Sequence, residues 1–205
     1  QIIDEWEYEI ANGEIVEINH VVVKVSKLRQ IAGGFLYPPK VKGKPTGPTV
    51  FFKCAKLAYT KTLVNDDLKN KPKIVIWAAF AAEIESIKQA LGAKQCVTYY
   101  GKDRQQKLAA RKKFATDPRV RVFIGQADSG VGMNDLIVAD TAIYYSNSDR
   151  VVSRQQSERR IRRIGSERHK AITYYDLLTE DSLDVKIYNA VHEKKKLAQS
   201  ILDGI

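Results

Sequence analysis

The chain has 205 residues, 44% of them apolar and 28% charged, with a formal net charge of +10 at neutral pH. That is enough apolar material to bury a sizeable core, which excludes a disordered chain, and enough length for one large domain with an appendage. The longest apolar run, at 74–82, is far too short to cross a bilayer, so no membrane partner is expected.

No charged start followed by an apolar stretch and a cleavage site marks a secretory signal. Gln1 in place of Met points to a processed product or an excised piece. Cys54 and Cys96 lack Cys-x-x-Cys spacing, which fits a reducing intracellular compartment (cytoplasm, nucleoid or nucleus) and no metal site.

In chain order, residues 1–17 carry six acids and no base, and Ile3, Trp6 and Ile10 read as an amphipathic helix. Ile15, Ile18, Val22, Val25 and Leu28 recur at three- and four-residue steps, which predicts a further helix. Glycines and prolines at 33–48 predict a loop or linker, and 49–68 reads as another helix. From Lys73 the pattern changes: short apolar or β-branched runs appear at 73–77, 96–100, 121–125, 141–146 and 171–178. Amphipathic stretches at about 81–91, 103–116 and 150–164 separate them. Strands alternating with helices predict an α/β fold with a parallel sheet, whose functional residues gather beyond the carboxyl ends of the strands. The Tyr-Tyr pairs at 99–100, 144–145 and 174–175 read as strand residues rather than base-stacking platforms. A long helix over 183–202 closes the chain, with Leu183, Ile187, Val191 and Leu197 on one face. The expected division is a helical extension over 1–70, a lobe over 71–182 and a bracing helix over 183–205.

The segment 156–170, QSERRIRRIGSERHK, holds five arginines, and residues 150–170 carry eight bases against two acids. Such a cluster attracts polyphosphates electrostatically. In a helix capped by Asp149, the spacing of Gln156, Arg160 and Arg163 places all three on one narrow face. Two arginines on one face can fork around phosphate oxygens; a solvated helix face held by ion pairs is the alternative. Upstream, a Gly-x-Gly turn at Gly130 and Gly132, followed by Asn134, comes after the run at 121–125. Glycines there let the backbone approach a phosphate closely.

Taken together, these segments resemble the second RecA-like lobe of a superfamily-two helicase-like motor, closest to the Swi/Snf family of DNA translocases. QSERRIRRIG resembles that family's motif VI, QADSGVGMN (126–134) motif V, and KIVIWAAF (73–80) motif IV. YYGKDRQQKLAARKKF (99–114) resembles the segment that follows motif IV, and KLRQIAGGFLY (27–37) the helix that precedes the lobe.

The resemblance implies a fold, a RecA-like parallel sheet flanked by helices, and roles for particular residues. Arg160 and Arg163 would be arginine fingers reaching ATP held with Mg²⁺ by an N-terminal lobe of the same protein, with Gln156 near the phosphates. Gly130, Gly132 and Asn134 would line the nucleotide edge. Gln126, Gly101, Lys102 and Arg104 would face the backbone of double-stranded DNA. Departures from the family pattern are Ser166 in place of the closing Gln, Gln126 for Thr or Ser, Ser129 for Gly, and two additional arginines in motif VI. The chain contains no Gly-x-x-x-x-Gly-Lys-Ser/Thr. IIDE (2–5) looks like an acidic metal-binding box, but no preceding strand supports that reading. DNA-dependent hydrolysis is therefore expected of a two-lobed protein rather than of this chain alone. The alternative is a stand-alone or regulatory nucleic-acid-binding module without ATP turnover.

Overall fold

The computed structural model describes residues 7–9, 15–17, 21–128, 135–148 and 150–203. β1 (Glu7–Glu9) and β2 (Ile15–Glu17) pair antiparallel, with Glu7 opposite Glu17. α1 (Val21–Ala32) follows, then β3 (Phe35–Leu36), β4 (Lys40–Val41), β5 (Lys44–Pro45) and β6 (Val50–Phe51). β3 pairs with β6 and β4 with β5, both antiparallel. α2 (Ala55–Thr62) runs into a π-helical turn at Leu63–Asp67. The remaining elements alternate: β7 (Ile74–Trp77), α3 (Ala81–Leu91), β8 (Cys96–Tyr99), α4 (Arg104–Thr116) and β9 (Val122–Gly125). A 3₁₀ turn at Asp135–Val138 leads to β10 (Thr141–Tyr144), α5 (Val151–Ile161), β11 (Thr173–Asp176) and α6 (Leu183–Asp203).

Five strands form one parallel sheet in the order β11-β10-β7-β9-β8. Successive side chains on a strand point to opposite faces, and the core divides accordingly. Ile74 and Ile76 join Ile84, Ile87, Ile124 and Ile143 on the face covered by α2 and α3. Val75 and Trp77 join Phe114, Phe123, Tyr144 and Ile161 on the face covered by α4 and α5. A central strand buried on both faces needs no polar alternation, which is why IVIW is apolar throughout. Each such large apolar side chain contributes roughly 1.5–3 kcal/mol relative to exposure. The connection from β7 runs toward β8 and that from β10 toward β11. The winding therefore reverses at the crevice outside the carboxyl ends of β7 and β10, where doubly wound sheets place their ligands.

The parallel region matches the sequence expectation closely. Asp103 caps α4 by accepting from the Gln106 amide at 3.0 Å. Tyr99 and Tyr144 are buried strand residues, and Tyr145, one residue past β10, is buried as well. Upstream, three expectations are corrected. The helix expected from Ile15 begins only at Val21, because β-branched Ile15 and Val16 pair with β1. The Asn12-Gly13 dipeptide between the two strands is a hairpin signal. Strand β1 likewise interrupts the helix read through Trp6 and Ile10, while IIDE lies outside the described residues. Val50 and Phe51 belong to a strand against β3, so the helix expected over 49–68 starts at Ala55.

Gly34 shows how tightly this upstream part is joined. Its φ is +85°, and a Cβ there would stand 2.4 Å from Cys54 Cβ. Gly34→Ala is expected to cost roughly 1–3 kcal/mol of stability. A urea unfolding midpoint indistinguishable from wild type would contradict this.

Candidate nucleotide and nucleic-acid interface

Helix α5 ends at Ile161, and Arg162 already has non-helical dihedrals of φ −89° and ψ 85°. The three motif residues therefore do not share one helical face. Gln156 is exposed on α5, Arg160 is buried at 6% exposure, and Arg163 is exposed beyond the helix end. The helix is shorter than its pattern suggested because its closing residues turn onto a neighbouring segment. The Ser166 amide donates to Arg163 O at 2.9 Å, and Gly165 takes φ +97°. The helix is capped at Arg150 without a side-chain bond, and Asp149, expected as its cap, lies outside the described residues.

The basic segment grips both flanks of residues 129–134. Arg160 Nη1 donates to Ala127 O at 2.9 Å, and its guanidinium lies 5.5 Å from the Trp77 ring centroid. Burial pulls the Arg160 pKa below its ordinary value, opposed by Tyr99, Tyr144 and Asp128. On the other flank, Arg168 Nη2 donates to Ile137 O at 2.7 Å, and a His169 ring nitrogen lies 2.8 Å from the same oxygen. Arg168 and His169 thus hold the 3₁₀ turn. Gly130, Gly132 and Asn134 lie outside the described residues.

The expected DNA-facing residues sit along the carboxyl rim of the sheet. Gly101 has φ +76° with open space where a Cβ would stand, and Lys102 and Arg104 are exposed beside it. Lys107 Nζ donates to Gly101 O at 3.0 Å, which fixes the β8–α4 turn. Gln126 is half-buried, and its Nε2 donates to Ala79 O at 3.0 Å across the ends of β9 and β7.

Two features were not found from sequence. Arg154, at 3% exposure, forks onto Asp176 through Nη1 and Nη2 and donates to Asn147 and Glu158. Its guanidinium stacks 3.5 Å over the Tyr144 ring. Only its i,i+4 spacing to Glu158 was visible beforehand.

The second is Glu83, fully buried at the start of α3, whose Oε2 accepts from the Ala79 and Phe80 amides and from Ser146 Oγ. Its Oε1 has no hydrogen-bond partner among the described residues and lies 2.5 Å from where a Gly33 Cβ would be. Burial raises its pKa from 4.5 to about 7, against the pull of Ser146 and Phe80. The folded chain thus holds a proton that the unfolded chain releases, so stability falls as pH rises from about 4.5 to 7 and levels off above. The fall is expected to be roughly 3 kcal/mol. Glu83→Gln should flatten this slope in urea titrations at successive pH values; an unchanged slope would assign it elsewhere.

Among the described residues no helix is long and apolar enough to cross a membrane. No family model matches the chain. Helicase SWR1 of Yarrowia lipolytica is 28% identical over 159 residues, covering 75% of this chain and 9% of that protein. The C-terminal part of the Fun30 ATPase domain superposes with a TM-score of 0.60 at 21% identity, covering 68% of this chain and 45% of that one. The Sulfolobus solfataricus SWI2/SNF2 ATPase core, solved in complex with double-stranded DNA, gives 0.62 at 21% identity, covering 90% of this chain and 38% of that one. The chain spans less than a tenth of the length of its first curated relatives, 4% to 9%. The fold is thus that of a RecA-like lobe, as the sequence suggested.

Proposed function

We propose that this chain, the second RecA-like lobe of a Swi/Snf-type helicase, is half of an ATP-dependent motor that moves along double-stranded DNA. The observation that carries the proposal is the grip of the arginine-rich segment on both flanks of residues 129–134. That grip supports the reading by holding the arginine-rich segment against Ala127 and Ile137, with Arg163 exposed beyond the end of α5.

In this proposal ATP sits on an opposing lobe, and Arg163 reaches its phosphates as the transferring group gains charge. Arg160, whose Nη1 donates to Ala127 O, adds charge from behind. Gln156 is assigned to the phosphates, and Gly130, Gly132 and Asn134 keep the nucleotide-edge role that the resemblance implies. Arg163, an exposed residue past the end of α5, is the one assigned to a nucleotide phosphate. Mg²⁺ is assigned, with the ATP, to the opposing lobe, as the resemblance implies. ATP supplies the free energy for lobe closure and reopening. Gly101, Lys102 and Arg104 follow the DNA backbone, and Gln126 links that rim to β7. Such a motor works inside the cell, where DNA is.

The relatives and neighbours compared are helicases or ATPases, which argues against a stand-alone binding module. Movement is tested by displacement of a third strand from a triplex by the two-lobed protein. Displacement that requires ATP and a continuous duplex path is expected. Duplex binding without ATP-driven displacement would refute the motor.

A further inference from the structure

We propose that the β4–β5 ribbon is a second contact to duplex DNA, reaching into a groove with lysines directed at both phosphate walls. The proposal rests on the DNA-binding reading above and extends it to a segment outside every helicase motif.

From Ile18 to Asn65 the chain has no acid and nine bases: Lys24, Lys27, Arg29, Lys40, Lys42, Lys44, Lys53, Lys56 and Lys61. Three of these lie on one short ribbon, and residues 40–48 are all exposed. The side chains of Lys40, Lys42 and Lys44 make no hydrogen bond or ion pair with the described residues. Their charge is therefore not spent inside the fold.

The ribbon has a defined turn and a closed base. Lys42 and Gly43 have φ of 50° and 78°, as a two-residue hairpin turn with a left-handed centre requires. A lysine in that region is disfavoured, so the tip carries positive charge where a small polar residue would be easier to place. Thr46 bonds Pro39 O through both its amide and its hydroxyl, at 2.9 and 3.0 Å, which closes the base.

Cross-strand partners share a face of a ribbon. Lys44, opposite Val41, therefore lies on one face, and Lys40, opposite Pro45, on the other, with Lys42 at the tip. The major groove, about 12 Å wide and 8.5 Å deep, admits a two-stranded ribbon. A ribbon charged on both faces fits between two rows of phosphates better than against a flat acidic surface.

Its base stands on the same rim as the expected DNA-facing residues. Tyr37 packs edge-on against Phe80 at 6.4 Å, and its hydroxyl accepts from the Ala82 amide at 3.1 Å. Phe80 follows Ala79, whose carbonyl takes the Gln126 bond. Tyr100, next to Gly101 and Lys102, donates to Glu85 on the same helix at 2.7 Å. One rim thus carries Lys102 and Arg104 on one side and the ribbon on the other.

The test is affinity for a duplex of about three helical turns across 50–200 mM salt, with the slope of log K against log salt as readout. Each phosphate contact contributes about 0.9 to that slope. Lys40→Gln/Lys42→Gln/Lys44→Gln is expected to remove about 2 to 3 from it, with Lys61→Gln as an exposed control that leaves it unchanged. Lys102→Gln/Arg104→Gln reports on the other side of the rim. If the slope falls in that double variant and stays at the wild-type value in the triple variant, the ribbon proposal alone is overturned, and an acidic protein becomes the candidate occupant. Absence of duplex binding by the wild-type chain would overturn both readings.

Discussion

Replacing Arg163 by alanine in the two-lobed protein is expected to lower DNA-stimulated kcat by about a thousandfold or more, with duplex affinity unchanged within about twofold. An arginine that meets the transferring phosphoryl group acts only as charge develops there, so its removal falls on turnover. Arg163 is exposed past the end of α5, so truncation removes no core packing. Arg163→Lys keeps a charge but loses the planar fork, and should recover only a small part of the rate. The opposite pattern, retained turnover with weakened DNA binding and a smaller salt slope, would make Arg163 a DNA contact.

Arg154→Ala is expected to cost about 3–5 kcal/mol, because it leaves the Asp176 carboxylate half-buried without its forked partner. Burial works against the Arg154 charge, but the Asp176 bonds and the Tyr144 and Glu158 contacts outweigh it and raise its pKa. For a chain of this size the loss corresponds to a melting temperature lower by about 10 °C. Arg154→Lys should not restore it, since one ammonium cannot replace a bidentate fork stacked on Tyr144. The clamp ties α5 to the ends of β10 and β11, so a loosened α5 would also displace Arg160. A melting temperature within about 3 °C of wild type would show that the clamp is dispensable.

The parallel region was legible because buried central strands and amphipathic helices leave strong local patterns. The run IVIW and the amphipathic stretch at 103–116 are local signals that the structure reproduced almost residue for residue. The first seventy residues were less legible because their strands are two or three residues long and are decided by pairing partners far along the chain, as Val50 and Phe51 are by β3. At the site, the spacing of Gln156, Arg160 and Arg163 identified the right segment but assumed an uninterrupted helix. The stop at Ile161 depends on Gly165 and on contacts with Ile137, which spacing does not report. Glu83 and Arg154 escaped notice for a related reason. Their roles arise from burial against residues on other elements, Ser146 for Glu83 and Asp176 for Arg154, whereas a lone Glu or Arg on a helix reads as solvated surface.

The measurement that bears most directly on the central claim is ATP hydrolysis with and without duplex DNA, comparing this chain alone with the same chain joined to a preceding first lobe. The expected result is no turnover from the chain alone and DNA-stimulated turnover from the joined protein, which would make the chain the completing half of an ATP site. Absence of hydrolysis in both, with DNA still bound, would contradict the motor and leave a nucleic-acid-binding lobe.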